Sequence, residues 1–501
     1  MSWVMKKRIH QIELFVKYPI DVQEEVFKNL VSTAKNTEYG KTYGFSEIKS
    51  IHAFGDRVPI LTYEEHFPFI ERIMRGEQNI LWPSEIKWFA KSSGTTNDKS
   101  KFIPVSPEAL EDCHMKGGKD LIALYLNNHP ESEMFEGKGL SIGGSHQINQ
   151  FDPRGDSSYG DVSAVIMKNM PLWAKYVRTP SEEVALLDNW DEKIEKIAHE
   201  VINEEVSSMA GVPTWTLLVL KRVMELKGVS DVSEIWPELE VFFHGAVAFG
   251  PYRKIFESII SSSEMKYVET YTASEGFIGI QDTSNNDEML LMLDYGIFYE
   301  FIAFSELGND NPRVTQLGDV KIGENYAVII STNSGLWRYM LGDTLRFTST
   351  SPYRIKISGR TKHFINAFGE EVIVENAEAA ISYACEQTGA VIDNFTAGPV
   401  YLEFNKQGGH EWIIEFTKSP QDIEEFITCL DSHLKEINSD YEAKRQGDLA
   451  LLAPIINSVP QGTFYRWMKK RGKLGGQNKV PRLSNNRDYL DDILEMVPAP
   501  A

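Results

Sequence analysis

The stretch 91–104, KSSGTTNDKSKFIP, constrains this chain more than any other. It gathers Ser92, Ser93, Gly94, Thr95 and Thr96 into a turn-prone run, then sets Lys99 and Lys101 ahead of the apolar Phe102 and Ile103. Glycine admits backbone angles that turn successive N–H groups into one concavity, and hydroxyls with a lysine ammonium complement phosphate oxygens. One reading is a loop that cradles phosphate. The other is a polar surface turn, because Ser, Thr, Gly, Asn and Asp favour turns for backbone reasons alone. The common P-loop is excluded, since no Gly-Lys-Ser/Thr follows Gly94 at the required spacing.

A chain of 501 residues is long enough for more than one domain and a large core. Its net charge of −21 argues against nucleic acid or an anionic membrane surface as a partner, so a pocket for a polyanion has to be built locally. Cys113, Cys385 and Cys429 are few, odd in number and far apart, which suits a reducing compartment rather than a disulfide framework. Lys6, Lys7 and Arg8 are followed by mixed charged and apolar residues, not by the apolar run of a signal peptide, and no segment reads as membrane-spanning. The expectation is a cytoplasmic protein.

Residues 1 to about 90 read as helical, with Val22, Val26, Leu30 and Val31 on one face. GKGLSIGG at 137–144 fails the dinucleotide fingerprint at Ile142 and reads as a strand ending in glycines. Amphipathic DEKIEKIAHEVINEE and the more uniformly apolar helix after Gly211-Val212-Pro213 then alternate with strands LEVFFHG and KYVETYTASEGFIGIQD. EMLLMLDYGIFYEFIAF predicts a hairpin turning at Asp294-Tyr295-Gly296, and strand character persists to about residue 350. After SGRTKHFINAFGEEV come a helix, strands YLEF and EWIIEF, and a second helix. The pattern predicts an α/β fold: a large N-terminal domain over 1–359 with an antiparallel or barrel-like part, and a small α+β C-terminal domain over 360–501.

No H-E-x-x-H occurs, and Cys113-His114 cannot easily present both groups to one centre. Four other stretches carry candidate chemistry. In HGAVAFGP at 244–251, Gly245 and Ala246 can let a flat base lie on backbone; the bland reading is a loop after a strand. In YTASEG, Tyr271 can stack on a base, Thr272, Ala273 and Ser274 form a polar turn, and Glu275 can hold Mg²⁺ beside phosphate oxygens, or simply face solvent. In WRYMLGD, Asp343 can accept two ribose hydroxyls, or pair with Arg338 on a strand edge. In SGRTK, Arg360 and Lys362 are cations at the domain boundary.

SSGTT, YTASEG, RYMLGD and GRTKHFINAFGEEV, in that order, resemble the core motifs of the adenylate-forming superfamily. INSDYEAKR and QGTFYRWMKKRGKLGGQNKVPR at the end, with NTEYGKTYGF near the start, are similar to the auxin-responsive Gretchen Hagen family of acyl-acid amido synthetases. The likeness spans nearly the whole chain, while GRTKHFINAFGEE is closer to the acyl-CoA ligase form of that hinge. The resemblance implies the adenylate-forming fold with a mobile C-terminal domain. It also implies ATP and Mg²⁺, and an acyl-adenylate passed to an amino acid or to the thiol of CoA. Carried over by motif, Ser92, Ser93, Gly94, Thr95, Thr96 and Lys101 contact phosphates, Gly245, Ala246 and the 271–274 segment face adenine, and Asp343 binds ribose. Glu275 holds the metal, Lys479 reaches the α-phosphate and the substrate carboxylate, and Arg360 and Lys362 sit at the hinge. A nucleotide- or carboxylate-binding protein without catalysis is the reading from another class. The acyl acid is expected to lie near the helix after Pro213, Phe249 and Phe277.

Overall fold

The computed structural model describes residues 3–92, 101–247, 249–283, 287–307, 309, 311–361, 364–402, 407–448, 450–471 and 480–497. A four-stranded sheet runs β2-β1-β5-β4, from Lys101–Val105, Trp88–Ser92, Ser158–Gly160 and His146–Ile148. Ser92 and Lys101 sit opposite each other where antiparallel β1 and β2 meet residues 93–100. The principal sheet contains β3 (Lys138–Ser141), β6 (Arg178–Thr179), β7 (Val206–Gly211), β8 (Val241–Gly245), β9 (Lys266–Ala273) and β10 (Gly276–Ile280). It continues through β11 (Met289–Leu291), β12 (Ile297–Ala303), β13 (Val314–Gln316), β14 (Asn325–Thr332), β15 (Tyr339–Thr350) and β16 (Tyr353–Arg360). Its order is β13-β12-β14-β15-β16-β11-β10-β9-β8-β7-β3-β6. Strands β6, β3, β7, β8 and β9 pair in parallel, and everything from β9 to β13 pairs antiparallel. The expected α/β body and its antiparallel addition thus share one sheet, joined at the β9–β10 turn.

The parallel half is made by crossover helices whose ends are written in the sequence. Pro213 occupies the first turn of helix Pro213–Lys227, where its missing N–H costs nothing, and Gly228 closes the helix at φ 69°. Helix Gly250–Ile259 then links β8 to β9. Two strand expectations need correction. Strands β11 and β12 are adjacent in sequence but do not form a hairpin: β14, β15 and β16 lie between them. Both are buried along nearly all their length, so each takes two strand neighbours, while Asp294 at the supposed turn is drawn off by Arg8 and Lys116. In the C-terminal unit the first strand is β19 (Val391–Val400), just before YLEF rather than in it. It pairs antiparallel with β20 (Gly409–Lys418), which pairs in parallel with β21 (Ile455–Val459). The short pair β17 (Phe364–Ile365) and β18 (Val372–Ile373) leads into helix Val374–Thr388.

One apolar cluster runs from the parallel half into the C-terminal unit, with Leu220, Phe242, Tyr252, Phe368, Ile381, Trp412 and Leu451 in it. Tyr252 Oη also donates to the carbonyl of Ala367 at 2.6 Å. At the other end, helix Trp3–Lys17 is tied down by Arg8, which bonds Asp120 at 2.7 Å and Asp294 at 2.6 Å. On helix Pro19–Ala34 the expected Leu30 and Val31 are buried and Val22 and Val26 pack against the core, and the buried face is wider than expected: Phe27 is buried, and the Gln23 carboxamide bonds the carbonyls of Leu293 and Ile297.

Burial disfavours the charged form of His66, His114 and His244. Burial pushes His66 and His114 down to about 4 and His244 to about 3, and for His66 two backbone bonds, to Thr62 O and from Trp337 N, fix the proton on Nδ1. The unfolded chain protonates each near 6.5, so between pH 6.5 and 4 it binds more protons than the folded one. Their contribution is whole above pH 6.5 and falls with pH below it, by about 1.4 kcal/mol per pH unit for each histidine. Denaturant titrations at intervals from pH 7 to 4.5 should show that slope, made shallower in His114→Gln. An unchanged slope in that variant would rule out its share.

Candidate active site

A cleft of about 960 Å³ opens at the carboxyl ends of β7, β8 and β9, where parallel sheets place ligands. The β15–β16 hairpin, the segment around Gly369 and the helix Ser439–Arg445 complete its walls.

The central feature is a chain of charged bonds. Asp343 and Arg360 are opposite one another in the β15–β16 register, and Arg360 Nε donates to Asp343 Oδ1 at 2.9 Å. Tyr271 Oη, from the far end of β9, donates to Asp343 Oδ2 at 2.6 Å. The other two guanidinium nitrogens clasp the Glu371 carboxylate at 3.0 Å each, and Phe364 lies under the group, 5.0 Å to its ring centre. A planar fork meeting a carboxylate with two parallel bonds holds its orientation as well as its charge. The Tyr271 ring is buried, and burial together with Asp343 keeps its phenol far above the ordinary range.

A second group surrounds Glu275, at the turn where the sheet changes from parallel to antiparallel. Tyr339 Oη donates to Glu275 Oε1 at 3.0 Å and accepts from Lys101 Nζ at 3.3 Å. Lys101 is buried beneath the rings of Tyr63 and Tyr339, at 5.6 and 5.9 Å. Burial raises the Glu275 carboxyl above the usual range, and the Lys101 charge works against that rise. The arrangement is an ammonium, a phenol and a carboxylate in succession, and of these Lys101 and Glu275 line the cleft.

Gly245 and Ala246 follow β8 on the same wall. A Cβ at 245 would stand 2.5 Å from the carbonyl of Thr270, so only glycine allows that approach, and Ala246 takes φ 70°, which few side chains tolerate. Thr272, Ala273, Ser274 and Ser92 also line the cleft. Ser93, Gly94, Thr95, Thr96, Lys99, Lys362 and Lys479 lie outside the described residues. Of the residues expected around an acyl group, Phe249, Val212 and Trp215 line the cleft. Phe277 does not: it packs on Gly117 and edge-on to Tyr295, in the core beneath.

Several cleft residues escape sequence reading. His244 stacks on Phe249 at 3.9 Å with both ring nitrogens buried and, among the described residues, without a hydrogen-bond partner. Glu269, its neighbour across the β8–β9 pairing, is pushed up to about 7 by burial and by Asp287. Trp190 and Trp215 stack at 3.5 Å, Lys193 lies 4.5 Å from one indole, and Lys444 lies 4.8 Å from the other. Burial pushes Lys193 down to about 8. A lysine on the apolar stripe of WDEKIEKIAHEV was the only available signal.

Comparison with known proteins agrees in three segments. The GH3 family N-terminal domain matches residues 8–265, the GH3 family central domain 290–360 and the GH3 family C-terminal domain 375–488. The chain is 22% identical to an indole-3-acetic acid-amido synthetase, GH3.3, of Arabidopsis thaliana, over 95% of this chain and 91% of that one. It is 23% identical to the jasmonoyl--L-amino acid synthetase JAR4 of Nicotiana attenuata, over 95% and 92%. Among solved structures, the acyl acid amido synthetase AtGH3.15 in complex with 2,4-DB superposes with a TM-score of 0.62 at 18% identity, over 99% of this chain and 96% of that one. That likeness bears out the mixed α/β fold with a large N-terminal and a smaller C-terminal part. With the N-terminal family domain alone covering residues 8–265 of 501, the chain belongs to the GH3 family, the Gretchen Hagen family that its motifs resemble.

Proposed function

We propose that this protein is an ATP-dependent acyl-acid amido synthetase, which adenylates a small carboxylic acid and transfers the acyl group to an amino acid. The observation that carries the reading is the convergence of Lys101, Tyr271, Glu275, Asp343 and Arg360, from well-separated segments, on one cleft wall. A carboxylate is a poor acylating agent. Attack of its oxygen on the α-phosphorus of ATP forms a P–O bond and releases pyrophosphate. The nitrogen of a neutral amine then attacks the acyl carbon, AMP leaves with the C–O bond pair, and the extra proton passes to solvent.

In this reading Asp343 accepts the ribose hydroxyls, and the Gly245–Ala246 backbone with Tyr271 to Ser274 borders the base. Ser92, Ser93, Gly94, Thr95 and Thr96 with Lys101 hold the phosphates. Lys479 meets the α-phosphate and the acid, and Arg360 and Lys362 stand at the junction of two domains, 1–359 and 360–501. The central family segment ending at 360 and the next beginning at 375 support that boundary. Mg²⁺ fits the donor set: it keeps several waters and takes one or two carboxylates beside substrate phosphates, and Glu275 offers one. Among the described residues no cluster of three or more His, Cys, Asp and Glu gathers, so no all-protein cage competes. When bound, the metal would neutralise phosphate charge. Three free cysteines favour the cytoplasm as the setting, and no described helix is long and apolar enough to cross a membrane.

A panel of aryl and alkyl acids tested for acid-dependent exchange of pyrophosphate into ATP checks the first half-reaction, and a panel of amino acids beside CoA checks the second. Exchange with at least one acid, and AMP release stimulated by an amino acid rather than by CoA, is the expected result. Stimulation by CoA alone would favour thioester formation, the outcome that the ligase-like GRTKHFINAFGEE keeps open. Absence of exchange with every acid would defeat the proposal.

A further inference from the structure

One wing of the cleft takes no part in the chemistry assigned above. Across the turn at 368–371 from Arg360, the stacked indoles of Trp190 and Trp215 form a wall, and Lys444 from the C-terminal unit closes it. Only 9% of Lys444 is exposed, and among the described residues no carboxylate pairs with its ammonium, which rests against the face of Trp215. Lys193, on the other indole, differs: it is fully buried and donates to the carbonyls of Gly143 and Gly144. A mostly buried cation held only by a ring face is costly unless an anion completes it. Lys444 and Gly369 both line the cleft, so an anion has an open approach to the ammonium. Gly369, at φ 87°, brings the 368–371 turn against Lys444, so that a Cβ there would lie 3.3 Å from its Cε. The same turn holds Glu371 on Arg360, so Lys444 sits one turn of chain away from the Asp343 site.

We propose that Lys444 receives the α-carboxylate of the amino acid acceptor, with the Trp190–Trp215 pair as the wall along which that substrate lies. The inference rests on the amido synthetase reading and deepens it. The phosphate end of the site has its own cations, Lys101 and Arg360, whereas the second substrate brings a single carboxylate that no residue assigned so far would meet. Carboxylate recognition by Lys444 would also fix the amine end of the acceptor, because the two groups are one carbon apart. A simple amine of the same shape would lack that anchor.

The test uses the full-length enzyme charged with an acid that supports exchange. Amide formation is followed as full saturation curves for L-alanine beside ethylamine, L-phenylalanine beside phenethylamine, and L-glutamate beside 4-aminobutanoate. Each rate is normalised to the pyrophosphate exchange of the same preparation, so that a loss of folded enzyme does not enter. In the wild-type protein the amino acid is expected to have a KM at least tenfold below that of its decarboxylated partner. Lys444→Met should raise the KM of the amino acid about tenfold or more, leave that of the amine in place and so erase the preference, while Lys444→Arg keeps most of it. An unchanged preference in Lys444→Met, or equal weakening of amino acid and amine, overturns the assignment. Transfer to CoA and to no amino acid overturns it while leaving adenylation standing. Absence of exchange with any acid removes adenylation, and this assignment with it.

Discussion

Asp343→Ala lowers acid-dependent pyrophosphate exchange by about 10²- to 10⁴-fold. The range follows from two hydrogen bonds to a charged acceptor, each about 1.5–3 kcal/mol, lost from ATP binding and from the adenylation transition state. Two donors hold the carboxylate in place. Arg360 Nε fixes one oxygen and Tyr271 Oη the other, and Asp343 lines the cleft. Asp343→Asn is a finer probe, because an amide keeps the shape but brings an N–H₂ against one of two donors. It should lose nearly as much. Thermal melts separate catalysis from folding: Arg360 retains its two bonds to Glu371, so the alanine variant is expected to melt within a few degrees of the wild type. Exchange within threefold of wild type would remove Asp343 from the nucleotide site.

Arg338→Ala should have the largest effect on stability. Arg338 and Glu300 are 5% and 1% exposed, joined by bonds of 2.9 and 3.1 Å, and the guanidinium also donates to the carbonyls of Gly55 and Val58. Removing it strands a carboxylate in the core and leaves two carbonyls without that donor, a loss of about 3–5 kcal/mol. Replacing both members, Arg338→Met with Glu300→Gln, should recover much of it, since the penalty lies in the orphaned charge rather than in the absent pair. Denaturant unfolding measures both. A loss under about 1 kcal/mol for the single variant would mean that water reaches Glu300 and the pair is not truly dry.

Local rules made much of this legible. Proline in the first turn and glycine after the last turn mark helix Pro213–Lys227, and apolar runs bounded by glycine mark β8 and β10. The 271–275 segment lies far in sequence from Asp343 and Arg360, yet all line one cleft, which the motif order implied and no local rule could. What failed was long-range partner choice. Asp294-Tyr295-Gly296 has good turn chemistry, yet β11 and β12 each need neighbours on both edges, and the sheet supplies these from residues 276–280, 314–316, 325–332 and 353–360. Charge pairing failed for the same reason. Arg338 is five residues from Asp343 but bonds Glu300, while Asp343 takes Arg360 from across the hairpin register. Lys444 could not be singled out, because its neighbour Trp215 belongs to helix Pro213–Lys227, far earlier in the chain than helix Ser439–Arg445, and only folding brings the two together.

Arg360 is shared between carboxylates from both sides of the boundary at which the family segments divide, Asp343 before it and Glu371 after it. A ligand that draws on Asp343 therefore changes how much positive charge remains for Glu371. Occupancy on one side is felt on the other as an altered field, with no backbone having to move. Such a coupling acts at the speed of side-chain electrostatics, and it runs equally in reverse: whatever displaces Glu371 changes how Arg360 holds Asp343.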